Sequence, residues 1–527
     1  MRTVLIAAVV VLGAGIATAV IVGALDRPDQ EAPLVSAPDP TPPPESPQAP
    51  APPPGPDRPA KAPMTLRDPD LIVIPQDESK REERNQGMIA WTRRTLADPY
   101  DRVGSRDPRW DDQVHSLMEL AANRFSGQAA DGVSFAEVFE AARAALDAGC
   151  DDPMVRYLYA RTSIAENDPG PVEYRRRMDD AADALEASAY PPIRRASALI
   201  YAAIENARVQ DDPEAAAEAS RQVDAALALL GESVEQDGFG PEAATTWFSI
   251  VSQAIALRQA MLGDSAQGYQ TVADAIADVP GVDSLRQKAR GSFLIDHAWE
   301  ARGNDFAPMV SEEAFRVFHE RLQQARTALE ASWEASPGDS VTAQKMLSVE
   351  LGLGEGDRER VTLWFRRAME ADPDNYDACI GLLTWLEPKW YGSAEEMMTF
   401  ARACRATDNW EGRLPLVLAE AHLRLMCYLD SFNQSLYLQK PEVQQDLGEI
   451  YSEYLERQPD DVVARTNAAM TAVMCGQFVA AAEHFDRLGP NLVATPYFTI
   501  DSVLEAREKV RAHLALFESL EDEPAPE

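Results

Sequence analysis

Cysteine is scarce in this chain, with five residues in 527 and no Cys-x-x-Cys pair. That excludes a small disulfide-built fold and a cysteine-rich zinc module. The six histidines (His115, His297, His319, His422, His484, His513) are isolated, and no His-Glu-x-x-His occurs. Neither a metal site nor a cofactor is expected from such a pattern. Lysine is nearly missing, with seven among 49 basic residues, and 86 acidic residues leave a net charge of −37. Affinity for nucleic acid comes mainly from neutralising phosphates, so a chain this acidic is not expected to bind it. Aromatic residues are few and sustained apolar–polar alternation is absent, which argues against sheets. Only Leu71-Ile72-Val73-Ile74 reads as strand-like. Hydrophobic residues at 45% and charged residues at 26% still suffice for a folded core.

The amino terminus carries the one long apolar run. From Thr3 to Leu25 there is no charge. As a helix these residues reach about 34 Å, enough to cross a ~30 Å hydrocarbon layer. Arg2 precedes the run, and Asp26, Arg27, Asp29 and Glu31 follow it. The positive-inside rule then places the amino terminus in the cytoplasm and the bulk of the chain outside, periplasmic or extracellular. The competing reading is a signal peptide cut after Ala17-Thr18-Ala19, although Val20-Ile21-Val22 prolongs the apolar run past that site. Both readings export the rest. Between Pro28 and Pro63 stand 15 prolines in 36 residues. Proline fixes φ and donates no backbone hydrogen bond, so this stretch is expected to be an extended stalk.

From Asp107 onward, apolar residues recur at three- and four-residue spacing, interrupted every 12–20 residues by Gly, Pro, Asp or Asn. About twenty helices with short connections are expected, and short connections make neighbours antiparallel. One spacing repeats: a small or apolar residue, then +4, then +3, then +5 to a proline. It occurs as Ala141, Ala145, Ala148, Pro153; as Ala325, Leu329, Ser332, Pro337; as Val361, Phe365, Ala368, Pro373; and as Leu447, Tyr451, Tyr454, Pro459. Glu396, Phe400, Ala403 and Ala481, Phe485, Leu488 share its first part. From Ala325 the starting positions are separated by 36, 35, 51 and 34 residues. The long interval holds an insertion around Leu429–Lys440.

This period and second-helix pattern resemble the tetratricopeptide (TPR) repeat, whose period is about 34 residues. Gly356-Asp357, Gly476-Gln477 and Ala371-Asp372-Pro373-Asp374-Asn375 sit where such units turn. The likeness covers about residues 311–490, with the first-helix aromatic pattern mostly missing. Asn375 to Phe400, through Glu387-Pro388-Lys389-Trp390-Tyr391-Gly392-Ser393, also resembles segments of bacterial TPR-like proteins with no assigned activity. The resemblance implies an all-α chain, an α-solenoid of antiparallel helix hairpins. The expected organisation is a transmembrane anchor at 1–25, a stalk at 26–63 and an irregular lead-in at 64–106. Divergent helical repeats at 107–305, TPR-like repeats at 306–517 and an acidic tail at 518–527 complete it. Partners of TPR stacks bind along the face lined by first helices. Carried over by position, that face contains Glu350, Asn375, Thr466, Met470, Val473 and Met474, a lining suited to a peptide or helix; the methionines read equally as core.

Other residues carry two readings each. Gly263-Asp264-Ser265 and Gly338-Asp339-Ser340 match the opening of one serine-hydrolase block, yet each also fits a helix stop followed by a cap. Cys379 and Cys404 are nearly level in the hairpin expected over Asn375–Leu386 and Ser393–Arg405, so they are either a disulfide or two small buried hydrophobes. Trp390 and Tyr391 either pack over the end of that hairpin or stand exposed as a binding loop. The function expected from these features is a membrane-anchored, extracytoplasmic and non-catalytic scaffold for protein–protein interaction at the cell envelope. The rival is an (α/α)-toroid enzyme acting on a cell-surface polysaccharide, which needs two carboxylates in an aromatic-lined cleft.

Overall fold

The computed structural model describes residues 74–521 except 127–132, 164–169, 210–211, 304–308, 355–356 and 490. The expected membrane segment, the stalk, Leu71–Val73 and residues 522–527 lie outside the described residues. Among those described there is no strand, and no helix is long and apolar enough to cross a membrane.

Twenty-two α-helices account for most of the described chain. They are α1 (Glu78–Thr92), α2 (Tyr100–Val103), α3 (Asp111–Phe125), α4 (Phe135–Asp147), α5 (Pro153–Thr162), α6 (Pro171–Glu186), α7 (Pro192–Ala207) and α8 (Pro213–Asp237). Next come α9 (Pro241–Leu262), α10 (Ser265–Ala275), α11 (Asp283–Arg302), α12 (Glu312–Ala335), α13 (Ser340–Leu353), α14 (Arg358–Ala371) and α15 (Tyr376–Trp385). The last are α16 (Ala394–Ala406), α17 (Leu416–Met426), α18 (Ser431–Leu438), α19 (Pro441–Arg457), α20 (Val462–Met474), α21 (Phe478–Leu488) and α22 (Ile500–Glu521). A five-residue π turn, Arg93–Ala97, continues α1.

Local chemistry explains the boundaries. Aspartate carboxylates accept the first free amides of α5, α8, α13, α14 and α20 from Asp152, Asp212, Asp339, Asp357 and Asp461. Ser134 and Glu137 form a reciprocal capping box at α4. Gly263 ends α9 with φ +66°, and Asp264 then caps α10 by accepting from the Gln267 amide. Asp339 accepts from the Val341 and Thr342 amides. Both Gly-Asp-Ser triplets are therefore helix-to-helix turns.

Every helix from α3 to α17 packs on the next one in the chain, and α18 to α22 do the same. A second set of contacts joins α7 to α9, α9 to α11, α11 to α13, α13 to α15 and α15 to α17. These alternate helices form one layer; their hairpin partners form the other. The repeated spacing marks buried contact positions in the partner layer: Ala325, Leu329 and Ser332, then Val361, Phe365 and Ala368, then Leu447, Tyr451 and Tyr454. The apolar interior divides into two clusters that meet within α11. Leu285 and Ala289 belong to the first; Phe293, Leu294 and Ala298 belong to the second. Gly291 lies at that junction, where a Cβ atom would stand 2.5 Å from Leu329 Cγ, so only glycine permits this approach of α11 to α12.

Two expectations are corrected. The lead-in is helical from Glu78, not irregular throughout. The first eight residues of that helix, Glu-Ser-Lys-Arg-Glu-Glu-Arg-Asn, offer almost no apolar period; ion pairs from Arg81 and Arg84 reach residues nearly 300 positions away, and Trp91 is buried in the first apolar cluster. The tail begins inside a helix, since α22 runs on to Glu521.

Candidate interaction surface

A band of alternating charge crosses the layer of alternate helices. Asp296 on α11 reaches solvent, yet desolvation raises its carboxyl above the ordinary range, opposed by the Lys345 ammonium on α13. Asp377 on α15 is half-buried and likewise raised by burial, opposed by Arg413 and then by the same Lys345. Arg413 follows in the connection between α16 and α17, its guanidinium 4.9 Å from the Tyr376 ring centroid. Burial works against its charge, but Tyr454, Tyr376, Asp461 and Asp377 outweigh that and hold it protonated. Its backbone has φ +59°, a left-handed conformation unusual for arginine and worth about 1–2 kcal/mol. Asp461, the cap of α20, accepts a 2.8 Å hydrogen bond from the Tyr454 hydroxyl. The order along the layer is therefore acid, base, acid, base, acid.

The array also curls. The charge of Asp460, in the turn before α20, acts on Arg124 at the end of α3, where desolvation by burial is the larger influence. Elements from the first and last thirds of the described chain thus lie within electrostatic range of each other.

Of the six residues expected on a partner-binding face, four are buried and two are half-buried. Glu350 is almost fully enclosed between α12, α13 and α14, paired with Arg326 at 3.0 Å and Arg360 at 3.1 Å. Asn375 caps α15 by accepting from the Ala378 amide at 2.8 Å. Thr466 is buried and returns its hydroxyl to the Val462 carbonyl. Met470 belongs to the second apolar cluster, with Val473 and Met474 packed against it. Position within a repeat locates a helix but not its rotation: Glu350, Asn375, Thr466 and Met470 turn inward, while Val473 and Met474 stay partly exposed.

The aromatic loop is not exposed. Trp390 meets the Trp299 ring edge-on at 5.9 Å, and Tyr391 stacks on Trp385 at 5.2 Å while donating to the Leu351 carbonyl. Below it, buried Glu387 accepts from Arg424 Nη1 at 2.7 Å, Tyr428 Oη at 2.6 Å and Lys389 Nζ at 2.8 Å. Its carboxyl stays below the ordinary range: burial acts to raise it, but Lys389, Tyr428 and Arg424 prevail. Cys379 and Cys404 are free thiols, fully buried in the α15–α16 hairpin. The level register expected of them is met, since the two thiols interact; burial and then the Cys379 neighbour raise the Cys404 thiol well above its usual value.

Two polar groupings were not legible from spacing. Ser265, His297 and Glu300 converge, with Ser265 Oγ 2.6 Å from Glu300 Oε2 and 3.3 Å from His297 Nδ1. His297 Nδ1 also lies 3.0 Å from Glu300, so one ring nitrogen serves both partners. A serine relay needs opposite nitrogens for the serine and the acid. The second grouping centres on buried His422: Nδ1 is 2.7 Å from Tyr437 Oη and Nε2 is 3.1 Å from Asp446 Oδ2, and Asp446 also accepts from Arg402. This fastens the inserted helix α18 to α17 and α19.

His422 yields a pH prediction. Burial lowers its pKa, and Asp446 and Glu442 oppose that lowering while Arg402 adds to it. A folded pKa below the unfolded value means that the unfolded chain binds the proton more readily. This histidine's contribution to stability is therefore complete above the unfolded value of about 6.5 and is lost as pH falls through the lower folded value. Histidine-selective NMR should place the His422 midpoint below 6.5, and Asp446→Asn should lower it further. A midpoint that rises in that variant would contradict the fastening role.

Comparison of the sequence with described protein families and with curated proteins gives no match.

Proposed function

We propose that the chain is a TPR-like α-solenoid that acts as a non-catalytic scaffold. In this reading residues 1–25 anchor it in the membrane, residues 26–63 hold it away from the surface, and the helical array recruits a protein partner outside the cytoplasm. The observation that carries the reading is the band from Asp296 through Lys345, Asp377 and Arg413 to Asp461. Its members stand on α11, α13 and α15, in the α16–α17 connection and at the cap of α20; Asp296 reaches solvent, Asp377, Arg413 and Asp461 are half-buried, and Lys345 is buried beneath them. An extended or helical peptide with complementary alternation would pair along it, and rim charges of this kind set specificity and encounter rate more than affinity. Helices packed in chain order also support the solenoid reading.

The rival enzyme draws on the curl and on the two raised carboxyls, Asp296 and Asp377. Against it, all nine tryptophans are used in packing: six are buried and Trp299, Trp333 and Trp390 lie against the second cluster. That leaves no tryptophan wall for a sugar.

The test is site-specific photo-crosslinking in cells, using the full-length protein. A photoreactive residue replacing Asp296 should capture a discrete partner, whereas the same residue replacing Glu449, on the outside of α19, should not. Asp461→Lys, remote from the label, should reduce that capture about fivefold or more. Equal capture from both positions, or insensitivity to the charge change, would remove the band as the binding surface.

A further inference from the structure

The first described residues bridge the two apolar clusters. Trp91 belongs to the first cluster and lies under Arg194, whose Nη2 donates to Thr95 Oγ1 at 2.6 Å. Met88 packs against the same cluster, and α1 touches α9. At the other end, Ile74 is buried in the second cluster. Gln76 Nε2 donates to the Pro373 carbonyl at 2.9 Å, and Gln76 Oε1 accepts from Asn409 Nδ2 at 2.9 Å. Arg81 Nε donates to Asp374 Oδ1 at 2.9 Å. Arg84 Nη2 reaches Asp372 Oδ1 at 2.9 Å and Asp374 Oδ2 at 3.0 Å.

Beside the junction of the clusters, one helix is packed lopsidedly. Helix α10 lies mainly on α9 and only lightly on α11. Between α10 and α11 opens a cavity of about 400 Å³ lined by Tyr269, Arg290, Phe293 and Leu294. Tyr269 and Phe293 stack across it at 4.2 Å, and Tyr269 touches both clusters. A stack of paired helices bends where an outer contact is missing, because each pair is held only by its neighbours.

We infer that Ile74–Thr92 is a strap that sets the angle between the two halves of the array about a hinge at α10–α11. Its grip on the second half combines the buried Ile74, the two Gln76 hydrogen bonds and ion pairs, largely shielded from water, of Arg81 and Arg84 with Asp372 and Asp374. Arg84, at 37% the most exposed member, is where water most readily replaces a partner, whereas the Trp91 end is set into apolar packing. Release therefore begins at the Asp372–Asp374 corner. The strap is also the first described segment after the expected stalk, so a pull on the stalk acts first on it. This inference is independent of whether a partner occupies the charged band.

The test uses the full-length protein with spin labels at Glu235→Cys on α8 and Glu449→Cys on α19. Cys427→Ser and Cys475→Ser remove the two thiols that are not fully buried. In Arg81→Glu/Arg84→Glu, amide exchange over residues 78–92 should accelerate about tenfold or more. The label-to-label distance distribution should broaden and shift by about 5 Å or more. Exchange that accelerates with an unchanged distance would overturn the hinge, and no change in either would overturn the strap. If the reversal prevents folding, Arg81→Gln/Arg84→Gln removes the same charges without adding repulsive ones, and the same two outcomes decide.

Discussion

Replacing Glu350 with alanine should lower the free energy of unfolding by about 3 kcal/mol. The side chain is 2% exposed and satisfies Arg326 and Arg360 together. Those guanidiniums belong to α12 and α14, so the single carboxylate of α13 joins three consecutive helices. Removing it takes away the enclosed anion that both guanidiniums share, although Arg360 keeps Glu330 at 3.5 Å. The loss sits at the lower end of the range for breaking a buried pair, because Arg360 is about one-third exposed and water can partly replace its partner. Glu350→Gln keeps an acceptor but not the charge, and should fall between alanine and the parent. Arg316→Ala provides the control. That arginine is open to solvent beside Glu313 and Glu320, and its removal should not measurably change stability. Urea unfolding followed by both circular dichroism and tryptophan fluorescence checks the series. Two probes are needed because helical arrays need not unfold in one step. A Glu350→Ala protein as stable as the parent would show that the carboxylate is not the joint between these helices.

The second large loss should come from Trp385→Ala, at about 3–5 kcal/mol. Trp385 is 1% exposed at the end of α15, stacked on Tyr391 and overlain by Arg358 with 5.8 Å to its centroid. Its removal leaves a cavity that the surrounding backbone cannot close, since the loop above is fixed by the Tyr391 amide on the Trp385 carbonyl and by Glu387. Trp390→Ala should cost clearly less, about 1–2 kcal/mol, because the ring is only half-buried against Trp299. The order of the two losses is the measurement. A larger loss at Trp390 than at Trp385 would mean that the loop, and not the helix end, carries the packing.

The sequence and the structure agree best where the signal is local. The hairpin expected over Asn375–Leu386 and Ser393–Arg405 appears as Tyr376–Trp385 and Ala394–Ala406, with Asn375 and Ser393 as caps. The insertion around Leu429–Lys440 appears as the short helix Ser431–Leu438. The level register of Cys379 and Cys404 also follows from chain geometry alone. Helix α1 was missed because its first turns are held by charges at a distant corner and its end by the single buried Trp91, a combination that no period along the chain encodes. The groove residues were misplaced for a related reason. Thr466 and Glu350 turn inward, and a helix must be rotated correctly before a position along it becomes a face. The band from Asp296 to Asp461 carries no sequence signature, since its members lie up to 165 positions apart and each looks like an ordinary surface charge.

What the sequence by itself determined was the all-helical class, the paired arrangement and most helix ends. These depend on apolar period, caps and turns, all of which act within a few residues. Only the tertiary structure decided which face each helix turns inward, where the two apolar clusters meet, and which distant charges act on one another. Those outcomes depend on the summed packing of helices far apart in the chain, where a rotation of a few tens of degrees moves a side chain from solvent to core.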